Sequence, residues 1–160
     1  MKNNDNLKIL NSPISFLASC FGVGMSPIAP GTMGSLFAIL FFYLTLDLGK
    51  ELQTIIFFCL IISGFWICGR SAKVLNSHDH SSIVWDEMSV MYGILLVIDI
   101  SFYNWLMAFL LFRLFDIWKP WPINFIDKEV KGGLGIMLDD IFAGFATILS
   151  LKFLDIVFLI

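Results

Sequence analysis

The chain has 160 residues, 58% hydrophobic and 14% charged, with a formal net charge of −3 and a mean hydropathy of +0.86. Soluble domains run about 45–50% apolar and roughly 25% charged, so this composition excludes an ordinary soluble fold and points to one membrane-embedded domain over residues 1–160. The acidic balance, with no basic stripe interleaved with aromatics, gives no footprint for nucleic acid.

The N-terminal MKNNDNLKIL lacks a long apolar core and a small-residue cleavage site, so no removable signal peptide is expected. Ser12 to Phe21 opens with Ser-Pro, a helix-start signal, but is too short to cross a bilayer and reads as an interfacial or re-entrant helix. From Gly22 to Gly34 the glycines and prolines argue for a loop. Met33 to Leu48 and Leu52 to Cys68 follow, divided by a tight turn over 47–51. Each has about 16–17 residues, marginal against the ~17–25 that a spanning helix uses.

Met88 to Phe115 can be read in two ways. One long helix would carry Asp99 and Asn104 at its middle; a hairpin would pair Ser82–Ile98 with Asn104–Trp118 through a turn over 99–103. Placement of the cations decides, because cytoplasmic loops are enriched in Lys and Arg. With the hairpin, Lys2, Lys8, Arg70, Lys73, Arg113, Lys119, Lys128 and Lys131 share one side with every acidic cluster, leaving Lys50 and Lys152 for the other. The last span runs from about Met137 to Leu154, with Lys152 and Asp155 able to snorkel at its far end. The expected fold is an all-α, multi-pass bundle of about five spans, the third and fourth forming a hairpin, plus the short N-terminal interfacial helix. The N-terminus and the acidic clusters are expected on the cytoplasmic face. Cys20, Cys59 and Cys68 fall in apolar segments without a CxxC or His-rich setting and read as small buried hydrophobes.

Polar chemistry concentrates in four segments. Gly22 to Ser35 could bring backbone N–H groups to an anion at a helix N-terminus, although it equally suits a surface turn, and it lacks a P-loop lysine. Ser77 to Glu87 carries His78, Asp79, His80, Asp86 and Glu87; a cap at Ser81 or Ser82 would set Asp86 and Glu87 in the first turns of a helix, where the dipole favours negative charge. Arg113, Asp116 and Lys119 recur every third residue on one helical face, as ligands or as a salt-bridge ladder, before Pro120 and Pro122 end the helix. Asp139 and Asp140 follow a glycine loop at the start of the last span, a pattern that suits Mg²⁺ or simple dipole compensation. Carboxylates gathered at one face would repel one another strongly without a cation between them.

The strings GVGMSPIAPGTMGSL, HDHSSIVWDE, FRLFDIWKPWPI and GGLGIMLDDIFAG, in this order from about Phe21 to Gly144, resemble the signature segments of the phosphatidylglycerophosphatase A family of bacterial inner-membrane lipid phosphatases. The resemblance implies Mg²⁺-dependent removal of the terminal phosphate of phosphatidylglycerophosphate, giving phosphatidylglycerol and inorganic phosphate. Its partners are then the lipid substrate and the bilayer, and no obligate protein partner is evident. The matched acidic positions are Asp86, Glu87, Asp116, Asp139 and Asp140, of which Asp86, Glu87, Asp139 and Asp140 are the expected metal ligands. Arg113 and Lys119, with His80, Gly31 and Thr32, are the expected phosphate contacts. The chain departs from the family pattern at Val90, where a glycine is usual. Neither a Cys-x5-Arg nor a DxDxT motif is present, which disfavours thiolate and haloacid-type mechanisms. The rival readings are a small ion transporter or channel subunit using the carboxylates as an ion path, and a CDP-alcohol phosphotransferase, whose DGxxAR…GxxxDxxxD pattern is absent.

Overall fold

The computed structural model describes residues 2–77 and 80–158. Among them the chain is all helical: α1 (Lys2–Asn11), α2 (Pro13–Ala18), α3 (Pro30–Leu44), α4 (Lys50–Leu75), α5 (Trp85–Val97), α6 (Phe102–Trp118), α7 (Ile123–Glu129) and α8 (Gly133–Phe158). Two single 3₁₀ turns, Val23–Met25 and Leu46–Leu48, sit in the connections.

The N-terminal half follows its start signals. Ser12 caps α2, its side chain accepting from the Ser15 N–H at 3.4 Å, and Pro13 takes the first helical position. Pro30 likewise opens α3, so Gly31, Thr32 and Gly34 lie inside a helix and not in the expected loop. A proline whose φ is already helical and whose missing N–H costs nothing at that position outweighs the glycines around it. Gly49, at φ 78, makes the turn into α4. That helix continues past Cys68 to Leu75, because Arg70, Ser71, Ala72 and Lys73 keep a helical pattern after the apolar run ends.

The hairpin forms: α5 ends at Val97, and Ser101 caps α6 through the Asn104 N–H at 3.1 Å. The expected serine cap of α5 does not. Val84 holds that place without a side-chain hydrogen bond, while its N–H binds the Ala18 carbonyl at 2.9 Å. Helices α1 and α7 were not expected, being polar or very short. The last helix begins at Gly133 and not near Met137, which moves Asp139 and Asp140 out of its first turn.

Helix α5 is the hub, packing against α3, α4, α6 and α8. Beyond its first turn it carries no charge, and it is buried from Trp85 to Leu95 except at Glu87, as a central helix must be. Close approaches fix the directions of its neighbours. Gly31 of α3 abuts Glu87 and Arg113, and Gly69 of α4 abuts Gly133 of α8. At the opposite end the Thr45 and Tyr92 hydroxyls meet at 3.0 Å, and Gln53 donates to the Thr45 carbonyl at 3.1 Å. The starts of α3, α5 and α8 therefore share one end of the bundle with the finishes of α4 and α6.

The outer faces stay apolar. Leu36 and Leu40 on α3, Ile55, Phe58, Ile62 and Trp66 on α4, Leu106 and Leu110 on α6, and Phe145, Leu149 and Phe153 on α8 are all exposed. Water-soluble monomers rarely expose contiguous apolar surface on this scale. Helices α4 and α8 are long and apolar enough to cross a bilayer. Cys20 and Cys68 are buried as expected, whereas Cys59 is exposed on α4.

Candidate active site

The shared end of the bundle gathers the acids. Asp86 and Glu87 occupy the first turn of α5, Asp116 the last turn of α6, and Asp139 and Asp140 the second turn of α8. Asp86, Asp139 and Asp140 are 5%, 7% and 3% exposed, so these are buried acids and not a wet helix end. Asp86, Glu87 and Asp140 can each present a carboxylate oxygen within 4.8 Å of the others. At that separation each ionised pair repels by roughly 3–4 kcal/mol at an effective dielectric of 20.

A cavity of about 40 Å³ lies among Asp86, Glu87, Asp116, Lys119, Asp127, Asp139 and Asp140. One water needs roughly 10–15 Å³, so the space admits a small hydrated ion. Asp86 Oδ1, Glu87 Oε2, Asp139 Oδ1 and Asp140 Oδ2 are buried without a hydrogen-bond partner. Orphaned buried oxygens of this kind call for a ligand, because each carries an uncompensated desolvation cost.

Two cations are in place. Arg113 Nη1 lies 2.7 Å from Asp116 Oδ2 and 3.7 Å from Glu87 Oε1. Its guanidinium thus stands behind those carboxylates and does not line the cavity. Lys119 does line it, donating to Asp139 Oδ2 at 2.7 Å and also to Asp127 Oδ1. Burial pulls the Lys119 amine down, but its bonds to Asp127 and Asp139 outweigh that and hold it above the ordinary lysine range. It is therefore charged at neutral pH. The backbone of Lys119 is left-handed, φ 44, where it closes α6. A non-glycine residue there costs of order 1–3 kcal/mol, and the same turn carries the amine to Asp127 and Asp139. Burial, and then the charge of Glu87, push the Cys20 thiol well above its usual range, so it is no nucleophile.

Six carboxylates (Asp86, Glu87, Asp116, Asp127, Asp139, Asp140) thus stand against two cations, Lys119 in the cavity wall and Arg113 behind it. The donor set is all oxygen with room for water, as hard divalent cations require. Of the four expected metal ligands, Asp86, Glu87 and Asp140 converge, while Asp139 turns one oxygen to Lys119. The expected phosphate contacts divide. Lys119 faces the cavity, but Gly31 packs behind Glu87, where a Cβ would fall 2.1 Å from Oε1. Thr32 is half-buried on α3 and His80 sits in the loop before α5, its Nδ1 accepting from the Ser82 N–H at 3.2 Å; neither lines the cavity. His78 and Asp79 lie outside the described residues. Asp127 escapes a sequence reading, since only the folding of short α7 back onto α8 brings it to Lys119. Val90, the departure from the family pattern, is buried, with its Cγ1 2.6 Å from where a Cβ on Gly144 would stand.

Residues 16–155 match the family model described as phosphatidylglycerophosphatase A. The chain is 46% identical over 136 residues to the phosphatidylglycerophosphatase A of Escherichia coli (strain K12), covering 84% of this chain and 79% of that one. It is 38% identical over 147 residues to the protein of the same name from Haemophilus influenzae, covering 89% and 90%. A Bacteroides thetaiotaomicron protein provisionally named a phosphatidylinositol-3-phosphatase is 36% identical over 132 residues, covering 78% and 82%. No solved structure matches the chain.

Proposed function

The chain belongs to the phosphatidylglycerophosphatase A family, and from that premise we propose that it hydrolyses the terminal phosphate of phosphatidylglycerophosphate in a Mg²⁺-dependent reaction. The products are phosphatidylglycerol and inorganic phosphate. The observation that carries this reading is the buried, oxygen-only cluster of Asp86, Glu87 and Asp140 with its unpartnered oxygens.

Those three residues would hold the cation, with Asp139 at the edge of the set. When bound, Mg²⁺ supplies Lewis-acid stabilisation of charge on the phosphoryl oxygens. The chain supplies the rest. Lys119 offers a point charge to the incoming phosphate from the cavity wall, and Asp127 and Asp139 hold its amine there. Arg113 is a positioning residue, holding Glu87 and Asp116 in place from behind. The attacking group is a water or one of the aspartates, the latter through an acyl-phosphate.

In this reading α3, α4, α5, α6 and α8 cross the bacterial inner membrane, and the carboxylate end faces the cytoplasm. The exposed apolar faces on α3, α4, α6 and α8 support this, and so does the alternation that puts Arg70, Lys73, Arg113 and Lys119 at the acidic end. The ion-path alternative gains no support. The acids close into one cluster at one end, and the central helix between the two ends carries no charge after Glu87.

Phosphate release from the purified protein in detergent, with Mg²⁺ and with chelator, tests the proposal. Activity should require the metal, and Asp140→Asn should lower it by about 10³-fold or more while the protein still inserts and purifies normally. Full activity in Asp140→Asn, or undiminished release in chelator, discards the metal site.

A further inference from the structure

One turn beyond the carboxylates, α4, α5 and α8 enclose an apolar groove of about 240 Å³. Phe57 of α4, Val90 and Val97 of α5 and Ile148 of α8 line it, with Gly93 and Gly144 on its surface. Both glycines are demanded by packing. A Cβ on Gly93 would fall 2.3 Å from the Phe57 ring, and one on Gly144 would fall 2.6 Å from Val90 Cγ1. Every lining side chain is apolar or absent, so water has nothing to bind there.

The register of the groove is informative. At 1.5 Å rise per residue, Val90 and Val97 lie about 6 and 16 Å beyond Asp86 along α5. Gly144 and Ile148 lie about 6 and 12 Å beyond Asp140 along α8. Measured along α5 and α8, the groove therefore starts about one turn past the level of the acid cavity and runs away from it, the two sharing these helices but no lining residue. A phosphorylated lipid with its phosphate among the carboxylates would hang its hydrocarbon in that direction. The exposed faces elsewhere are convex rows such as Phe58, Ile62 and Trp66, which any bilayer lipid can cover. The groove is concave, and along it Val97 is the point where the otherwise enclosed α5 becomes exposed. A dry apolar cavity of roughly 150 Å³ takes up benzene, so this larger volume accepts a longer hydrocarbon segment.

We propose that this groove seats one acyl chain of the lipid whose phosphate reacts at the carboxylate cluster, with Val97 and Ile148 at its deep end. The proposal rests on the phosphatase reading. It makes the protein a reader of hydrocarbon length as well as of the head group.

Two measurements test it. Val97→Trp and Ile148→Trp fill the deep end from positions outside the acid site. With dioleoyl phosphatidylglycerophosphate in detergent and Mg²⁺, kcat/KM should fall about tenfold or more. With the dihexanoyl lipid, whose chains stop short of the obstruction, it should change less than about twofold. Equal losses on both lipids, or no loss on either, overturn the proposal. Independently of turnover, a phosphatidylglycerophosphate carrying a diazirine on one acyl chain should label residues 90–97 and 141–148 of the wild-type protein, in competition with unlabelled lipid. Labelling confined to Phe58, Ile62 and Trp66 also overturns it. Labelling in the groove without phosphate release from any lipid phosphate overturns the phosphatase reading and leaves the groove as a lipid site.

Discussion

Gly31 shows how tightly single residues shape the acid centre. A methyl group there would fall 2.1 Å from Glu87 Oε1 and 3.0 Å from Arg113 Nη2. The carboxylate ends a flexible side chain and can swing aside, so Gly31→Ala should cost little stability. Under the proposed phosphatase reading its effect falls on catalysis, because a displacement of about 1 Å in a reacting constellation costs on the order of 100-fold in rate. Phosphate release should fall to that extent while the unfolding midpoint in detergent stays near wild type; a large stability loss with normal turnover would contradict the placement of Glu87. The acidic residues themselves were legible in the sequence, since buried charge among apolar runs is costly and stands out. The backing role of Gly31 was not, because a glycine before a helix suits an anion loop as well as a close approach. Asp127 was invisible for a different reason: nothing local to it signals that Lys119 will turn left-handed and meet it.

At the scale of elements, the contact between α4 and α8 is set by glycine. A Cβ on Gly133 would lie 2.1 Å from the Phe65 carbonyl oxygen and 2.7 Å from the Gly69 nitrogen. Backbone atoms cannot step aside as a side chain does. Gly133→Ala should therefore destabilise by about 1–3 kcal/mol, the range for overpacking, seen as a lower unfolding midpoint in detergent. The hairpin of α5 and α6 was readable because only that turn leaves Lys and Arg on one side with the acids; the Ser101 cap of the second helix is seen only in the structure. Composition alone sets the starts of α3 and α8 a few residues later than Pro30 and Gly133, since a glycine-rich segment argues for a loop until tertiary contacts demand its small size. That shift matters at the site. It sets Asp139 and Asp140 a full turn inside α8, where dipole compensation no longer accounts for them.

For the whole molecule, the decisive feature is that helices of alternating direction bring every acidic cluster to one end. The sequence implied as much through its cations, Lys50 and Lys152 alone being assigned to the far side. How the bundle sits in the membrane can be measured. Asp99→Cys, in the connection between α5 and α6, should react with a membrane-impermeant maleimide added to intact spheroplasts. Lys131→Cys, in the connection before α8, should react only after lysis. The reverse pattern would put the acid centre on the outer face, and equal reactivity would break the alternation. The packing hub α5 was less legible than the acids. Its uniform apolarity says only that it is enclosed, by lipid or by protein, and only the assembled bundle distinguishes the two.

Cys59 carries a practical consequence of the outward face of α4. Its thiol is the exposed one, Cys20 and Cys68 being buried. A hydrophilic alkylating reagent must meet the sulfur from water, and a bilayer covering this face of α4 would keep it away. In native vesicles a hydrophilic reagent should leave the wild-type protein unmodified, whereas stripping the lipid should allow one adduct per chain, countable by intact mass. Preparations handled without reductant would then accumulate covalent pairs on gels, born of random collision during extraction, and Cys59→Ser would remove them.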